Sequence, residues 1–164
     1  MFRATHRIRT RTQMSARAFW RRYGRLEHDR LEFKRSAHHL QDSVVAMAMG
    51  RGGTVLIGVT DDRRLIGCAL DQPTLDRIGL VAHETQVDLG IRALRVAGTP
   101  LVAVTVPAID GRIVTTSDGR ILRRLGSANQ PVRGDAVARL VCARLGGTAV
   151  GWQQCERLAQ TATP

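Results

Sequence analysis

Short stretches of alternating or continuous apolar residues predict the strands of this 164-residue chain. Residues 31–34 alternate between apolar and charged side chains, as in a strand with one face in the core. Residues 55–57 are an apolar run, which indicates a buried strand. Residues 89–96 and 101–106 are separated by a Gly-Thr-Pro turn, so they predict a β-hairpin. A last strand is expected at residues 121–125.

Helices are predicted where apolar residues recur every three or four positions. One helix is expected to have Ser36 as its N-cap and to bury Leu40 and Ala48. A second helix is expected after Asp71, and a third after Gly134. Together the elements predict the α+β class, with a mixed, mostly antiparallel sheet flanked by two or three helices.

Acidic residues flank the first predicted strand and follow the second. On the first strand, Glu32 and Lys34 share one face and are expected to stand together on the outside of the sheet. Glu27 precedes this strand, and Asp61 and Asp62 follow the second strand. The alternative interpretation is structural: an exposed strand with an ordinary ion pair, and two aspartates that serve only as turn residues.

Carboxylates next to a lysine suit the cleavage of phosphodiesters. Carboxylate oxygens bind hard cations such as Mg²⁺, and an ammonium group stabilises the charge that develops on phosphate oxygens. If the fold gathers the acids at one place, Lys34 is the residue expected to stabilise the transition state.

Four segments in a fixed order carry a resemblance to a known family. They are residues 27–34, 46–53, 56–62 and 124–131. In this order they resemble the Schlafen-type Alba-like domain (AlbA_2), and the resemblance extends over about residues 25–145. Met49 departs from the pattern, because the family usually has an asparagine at this position.

The resemblance implies both a fold and a chemistry. The fold is the α+β fold of the Schlafen AlbA_2 domain, and in Schlafen nucleases three acids form a metal site that cleaves RNA. The implied metal ligands and catalytic acids are Glu27, Glu32 and Asp61. Asp62 is the alternative for the third acid. The implied cofactor is Mg²⁺ or Mn²⁺.

The charge of the chain favours a polyanionic partner. The formal net charge is +11 and the isoelectric point is about 11.4, a balance typical of proteins that bind nucleic acid. Of the 25 basic residues only Lys34 is a lysine, a skew that also suggests a GC-rich genome. The arginines expected to contact nucleic acid are Arg21, Arg22, Arg25, Arg35, Arg51, Arg63, Arg64, Arg123 and Arg124.

The first part of the chain is expected to form a basic arm, residues 1–22. Residues 1–25 contain eight arginines and no acid, so this arm would run along phosphates with aromatic side chains available for stacking. The alternative is a tail followed by a short helix at residues 15–23, in which Phe19 and Trp20 pack on the core or on a second subunit. The expected divisions are the arm, a domain at residues 23–146 and a tail at residues 147–164.

Several classes of protein are disfavoured by missing signals. No stretch approaches the roughly 18 consecutive apolar residues of a membrane span, and no apolar run follows the basic N-terminus as in a secretory signal, so a cytoplasmic protein is expected. The three cysteines are far apart, so neither a zinc site nor a disulfide framework is expected. ATP binding is not expected, because the chain has no phosphate-loop motif.

Two function classes are compatible with these features. The first is a metal-dependent endoribonuclease of the Schlafen type that acts on structured RNA such as tRNA. The second is a non-catalytic nucleic-acid-binding or transcription-regulatory module on the same fold. Nucleic acid is the expected partner in both, with RNA favoured and DNA possible.

A homodimer is also expected. In Schlafen proteins two such domains form a clamp around RNA, and a two-fold pair of this single domain would make the equivalent clamp. The alternative is a monomer. The apolar residues expected at the dimer interface are Phe19, Trp20, Val150 and Trp152.

Overall fold

The computed structural model describes residues 7–145, which form seven strands and four helices. In chain order these are β1 (Arg7–Met14), α1 (Ala16–Tyr23), β2 (Leu31–Lys34), α2 (Leu40–Ala48), β3 (Gly53–Ile57), α3 (Gln72–Thr85), β4 (Gly90–Val96), β5 (Thr99–Val106), β6 (Leu122–Leu125), β7 (Ala128–Pro131) and α4 (Asp135–Leu145). The expected tail at residues 147–164, with Val150 and Trp152, lies outside the described residues.

Five strands form the main sheet in the order β1-β4-β5-β3-β2, and β6 and β7 form a separate hairpin. The pairs β1–β4 and β2–β3 are parallel, whereas β3–β5, β4–β5 and β6–β7 are antiparallel. The parallel pair β2–β3 follows from the chain order, because α2 connects the two strands as a crossover. The predicted α+β class with a mixed sheet is therefore confirmed.

Both faces of the main sheet are covered, which explains why β3 is apolar throughout. Val55 and Ile57 pack in the cluster formed with α2 and α3. Leu56 points to the opposite face, where it packs with Phe19 of α1. All of these side chains are fully buried, so successive β3 residues alternate between two cores and not between core and solvent.

The segment expected as a basic arm belongs largely to the folded domain. β1 pairs with β4 at one edge of the main sheet. α1 begins after Ser15, whose hydroxyl accepts the Ala18 N–H at 3.2 Å. Phe19 is fully buried in its own domain, so the alternative is right about the helix, whereas residues 7–14 form β1 and not a tail. Phe19 is therefore not available for the expected dimer interface.

Two further elements differ from the predictions. α2 begins at Leu40 and not directly after Ser36, since the N-cap position is His39, in the left-handed region with no side-chain cap. β6 was expected as the last strand, but the chain turns back at Gly126 and adds β7. This hairpin matters for the site, because Asn129 of β7 donates a hydrogen bond from its side chain to Ser43 of α2 at 3.2 Å.

None of the helices in the described part of the chain combines the length and the apolar run that a bilayer-spanning helix requires.

Candidate functional site

The end of β2 and the loop after β3 lie side by side and carry the predicted acids. The two strands are parallel, with Lys34 opposite Ile57. After β3 the chain turns at Gly58, where φ is 95°. The N–H groups of Gly58 and Val59 donate to the Lys34 carbonyl at 2.7 and 3.1 Å. These bonds hold the loop that carries Asp61 against the end of β2.

Glu32 is buried, whereas the strand pattern predicted an outward-facing side chain. Only 7% of the residue is exposed. Its Oε1 accepts hydrogen bonds from Lys34 Nζ at 2.8 Å and from the Ser43 hydroxyl at 3.1 Å, and its Oε2 accepts from Arg124. The prediction of exposure is wrong because β2 is covered on both sides: α1 packs on one face, and α2 and the β6–β7 hairpin cover the other.

Arg124 attaches the hairpin to β2. Its side chain is 3% exposed. Nη1 donates to Glu32 and also to the side-chain oxygen of Asn129 at 2.7 Å. Nη2 donates to the carbonyls of His28 and Leu31 at 2.9 and 3.2 Å. The expectation that Arg124 contacts nucleic acid is wrong, because its side chain is buried and both Nη atoms already donate to protein oxygens.

Glu27 lies along the outer edge of β2. Its Oε1 accepts the Phe33 N–H at 2.6 Å. Burial raises the pKa of the Glu27 carboxyl above its ordinary value; the Phe33 hydrogen bond opposes this, and repulsion from Glu32 and Asp61 adds to it. Glu32 and Asp61 therefore both lie within electrostatic reach of Glu27.

The two aspartates after β3 have different surroundings. The Asp62 carboxylate accepts a hydrogen bond from the Thr60 hydroxyl and lies 2.7 Å from Nε of Arg64. The Thr60 hydrogen bond is the main cause that lowers the pKa of Asp62. Asp61 is exposed, and none of the groups that the structure describes donates a hydrogen bond to its carboxylate. The carboxylate of Asp61 is therefore more available to a ligand than the carboxylate of Asp62.

The acids suit a hard cation chemically, and their surroundings decide which of them can bind one. Among the residues that the structure describes, no three His, Cys, Asp or Glu side chains are arranged to hold one metal ion. Both carboxylate oxygens of Glu32 already accept hydrogen bonds. One oxygen of Glu27 and both oxygens of Asp61 accept none from the described residues. Mg²⁺ commonly binds through one or two carboxylates, with water and substrate phosphates as its other ligands. By their unbonded oxygens, Glu27 and Asp61 are the candidate ligands for such a site, and the described residues form no three-carboxylate site.

The other arginines predicted to contact nucleic acid are exposed. They are Arg21, Arg22, Arg25, Arg35, Arg51, Arg63, Arg64 and Arg123. Arg22 lies over the ring of Tyr23, with 5.6 Å from Cζ to the ring centroid. Arg51 is 3.2 Å from Asp29 in a surface ion pair. Such pairs contribute little in water, so these guanidinium groups remain available to phosphates.

Two polar residues of the site are not among the predicted catalytic or binding residues. The Ser43 hydroxyl donates to Glu32 and accepts from Asn129. Asn129 belongs to the closing segment of the family resemblance, which is a signal that it has a role. Ser43 gives no such signal, since a single serine in a helix is ordinary.

Arg124→Met tests whether the buried ion pair holds the hairpin. The substitution keeps an apolar stem but leaves Glu32 with fewer partners, and removing one partner from a buried ion pair costs about 3–5 kcal/mol. We expect a loss of this size in the free energy of unfolding, measured with urea. Arg120→Met is the matched control, because Arg120 makes exposed ion pairs with Asp42 and Asp118. Equal losses in both variants would contradict the prediction.

Glu27→Gln tests the electrostatics of the acid cluster. The pKa of Glu27 is raised, so its ionisation opposes folding as the pH rises through that pKa. Glutamine keeps an oxygen for the Phe33 N–H and carries no charge. In EDTA, the variant is expected to melt at a higher temperature than the native protein at weakly alkaline pH. The difference should vanish in acid, where the native carboxyl is neutral. If the native protein is more stable than Glu27→Gln at alkaline pH, the prediction is wrong.

Comparisons with known proteins agree with this fold. A search of curated proteins finds no match. Among solved structures, the chain is similar to the DIP2311 protein from Corynebacterium diphtheriae, with a TM-score of 0.58 and 22% sequence identity. The match covers 71% of this chain and 27% of that one, so this chain spans about a quarter of the length of DIP2311. At this identity the similarity concerns the fold alone.

A family model described as "Schlafen, AlbA_2" matches residues 27–133. The match begins at Glu27, includes the acids of both loops and extends past the β6–β7 hairpin. Because it covers more than half of the sequence, the chain belongs to the Schlafen AlbA_2 family, which supports a role with nucleic acid.

Proposed function

We propose that the protein is a metal-dependent endoribonuclease that acts on structured RNA such as tRNA. The observation that carries this proposal is an excess of negative charge at the end of β2. Glu27 is repelled by both Glu32 and Asp61. Lys34 and Arg124 pair with only one of these acids, Glu32. The remaining negative charge would repel a phosphodiester unless a cation is bound.

In this proposal Glu27 and Asp61 bind Mg²⁺ or Mn²⁺. When bound, the metal supplies a water of lowered pKa and shields the charge of the scissile phosphate. Lys34 is partly exposed, and its ammonium has three N–H donors, of which one goes to Glu32. A second donor can bind a phosphate oxygen and stabilise the transition state. Glu32 acts through Lys34, which it holds at the end of the strand.

The exposed arginines support RNA as the substrate, because guanidinium groups attract the phosphates of a polyanion. Arg35 follows β2 directly, and Arg63 and Arg64 follow the aspartates. The net charge of +11 makes the whole domain attractive to a polyanion. A homodimer would double this basic surface. In such a dimer the interface cannot use Phe19, which is fully buried.

A non-catalytic nucleic-acid-binding or transcription-regulatory module is the second candidate function. One observation favours it: Glu32 is paired with both Lys34 and Arg124, as in a carboxylate that serves only the structure. In that case the acids organise the loops, and the exposed arginines alone bind nucleic acid. The two functions differ in whether RNA is cut in the presence of a divalent cation.

Asp61→Asn separates the two functions without disturbing the fold, because Asp61 is exposed. Labelled tRNA and duplex DNA are incubated with the protein in Mg²⁺, in Mn²⁺ or in EDTA. We expect the native protein to cut tRNA only with a metal, and Asp61→Asn to lower the rate by about 100-fold. RNA binding in EDTA should be unchanged or tighter, since one repulsive charge is removed.

Asp62→Asn is the matched variant, because it also removes one negative charge and keeps an oxygen for the Thr60 hydroxyl. It is expected to cut at nearly the native rate. If Asp62→Asn is inactive and Asp61→Asn is active, the roles of the two aspartates are exchanged. If the native protein binds tRNA and cuts nothing with either metal, the non-catalytic function is correct.

A further inference from the structure

A basic cleft lies at the opposite end of β2 from Asp61. Its walls come from the end of α1 (Arg22 and Tyr23), the turn before β2 (His28 and Arg30) and the loop after α2 (Arg51). Its floor is formed where β3 begins and β5 ends, and its volume is about 380 Å³. Among the described residues that line it there are three arginines and a histidine, and no acid.

A second cavity continues this concave surface towards the β6–β7 turn. Its volume is about 500 Å³, and it shares His28 and Arg51 with the first cavity. Gly126 of the hairpin turn lines its far side, and Asp29 is the acidic residue in its lining. His28 and Arg51 therefore line both cavities, the one beside α1 and the one beside the hairpin.

The two side chains that line both cavities are available to a ligand. Arg51 is 3.2 Å from Asp29, but its side chain is 81% exposed, so a phosphate can compete with this weak ion pair. The Nδ1 atom of His28 accepts the Arg30 N–H at 3.2 Å. Nδ1 also lies 3.3 Å from the Asp29 carboxylate. The other ring nitrogen, Nε2, has no hydrogen bond to a described residue, so it can contact a ligand.

The cleft and the acids lie at the two ends of the same short strand, β2. Leu31 lines the cleft, and Lys34 ends the same strand beside the loop of Asp61. Three residues of a β-strand span about 10 Å. One nucleic-acid strand can therefore place a phosphate in the cleft while its neighbouring part passes the acid end.

We propose that this cleft binds one backbone phosphate of a nucleic-acid strand through Arg22, His28, Arg30 and Arg51. The inference rests on the proposed function only in that the partner is nucleic acid, and it does not require cleavage. The acid end of β2 needs a cation before a phosphate can approach. The cleft carries positive side chains and needs none, so it binds the strand in the absence of metal.

The test is a binding experiment in EDTA, where no metal-dependent cleavage occurs. A fluorescein-labelled single-stranded RNA and the DNA of the same sequence are titrated by fluorescence anisotropy. The variant is the double substitution Arg22→Ala and Arg51→Ala. The matched control is Arg77→Ala with Arg139→Ala, which removes the same charge from exposed positions on α3 and α4.

We expect the cleft variant to bind RNA about 10-fold more weakly, and the control to differ from the native protein by less than about 3-fold. The slope of log Kd against log salt should fall by about 0.7 for the one phosphate lost. Replacing Arg22 and Arg51 by lysine keeps both charges and should restore most of the affinity. A similar loss for DNA indicates that the cleft reads the phosphate and not the ribose.

Equal weakening in the cleft variant and the control would overturn the inference, since net charge alone would then explain binding. Native protein that binds neither probe would overturn it as well. A different result would contradict the proposed function. If the protein binds RNA through the cleft but cuts no substrate with Mg²⁺ or Mn²⁺, the nuclease proposal is wrong and the cleft proposal stands.

Discussion

The buried ion pair between Glu32 and Arg124 is the constraint on which the rest of the site depends. A carboxylate with so little exposure must be matched by charged and hydrogen-bonding partners, or it would destabilise the fold. Arg124, Lys34 and Ser43 provide that match. Because Arg124 belongs to β6, the same interaction that neutralises Glu32 also fixes the hairpin over β2.

This pairing decides which groups remain for function. With Glu32 committed to protein partners, Glu27 and Asp61 are the acids that keep free oxygens at the end of β2. Lys34 is held beside them by Glu32 at 2.8 Å. At the other end of the strand, the guanidinium groups around His28 face a concave surface that carries little negative charge. One strand thus separates an acid end, suited to a cation, from a basic end, suited to a phosphate.

The sequence patterns succeeded where neighbouring residues decide the structure. α3 begins where Asp71 predicts, because the Asp71 carboxylate accepts the Thr74 N–H at 3.0 Å. The β4–β5 hairpin follows its apolar pattern. The patterns failed where contacts between distant segments of the chain determine the structure. Residues 7–14 have the composition of a basic arm, yet they form a strand that pairs with β4. Glu32 looks exposed until Arg124, 92 residues later, covers it.

In the candidate site, too, some features follow from the sequence pattern and others depend on distant segments. The order of the motifs predicts that Glu27, Glu32 and Asp61 come close together, and Glu27 is repelled by the other two acids. The order was not enough to predict their separate roles, because hydrogen bonds to α2 and the hairpin determine which oxygens stay free. Single-sequence patterns contain no information on such partners.

The most direct measurement is anomalous diffraction from a crystal of the protein soaked in Mn²⁺. The account predicts one anomalous peak within coordination distance of Glu27 and Asp61, with Glu32 still hydrogen-bonded to Arg124. A peak coordinated by Glu32, with Arg124 displaced from it, would contradict the account. The absence of any peak near Glu27 and Asp61 in a well-soaked crystal would contradict it too.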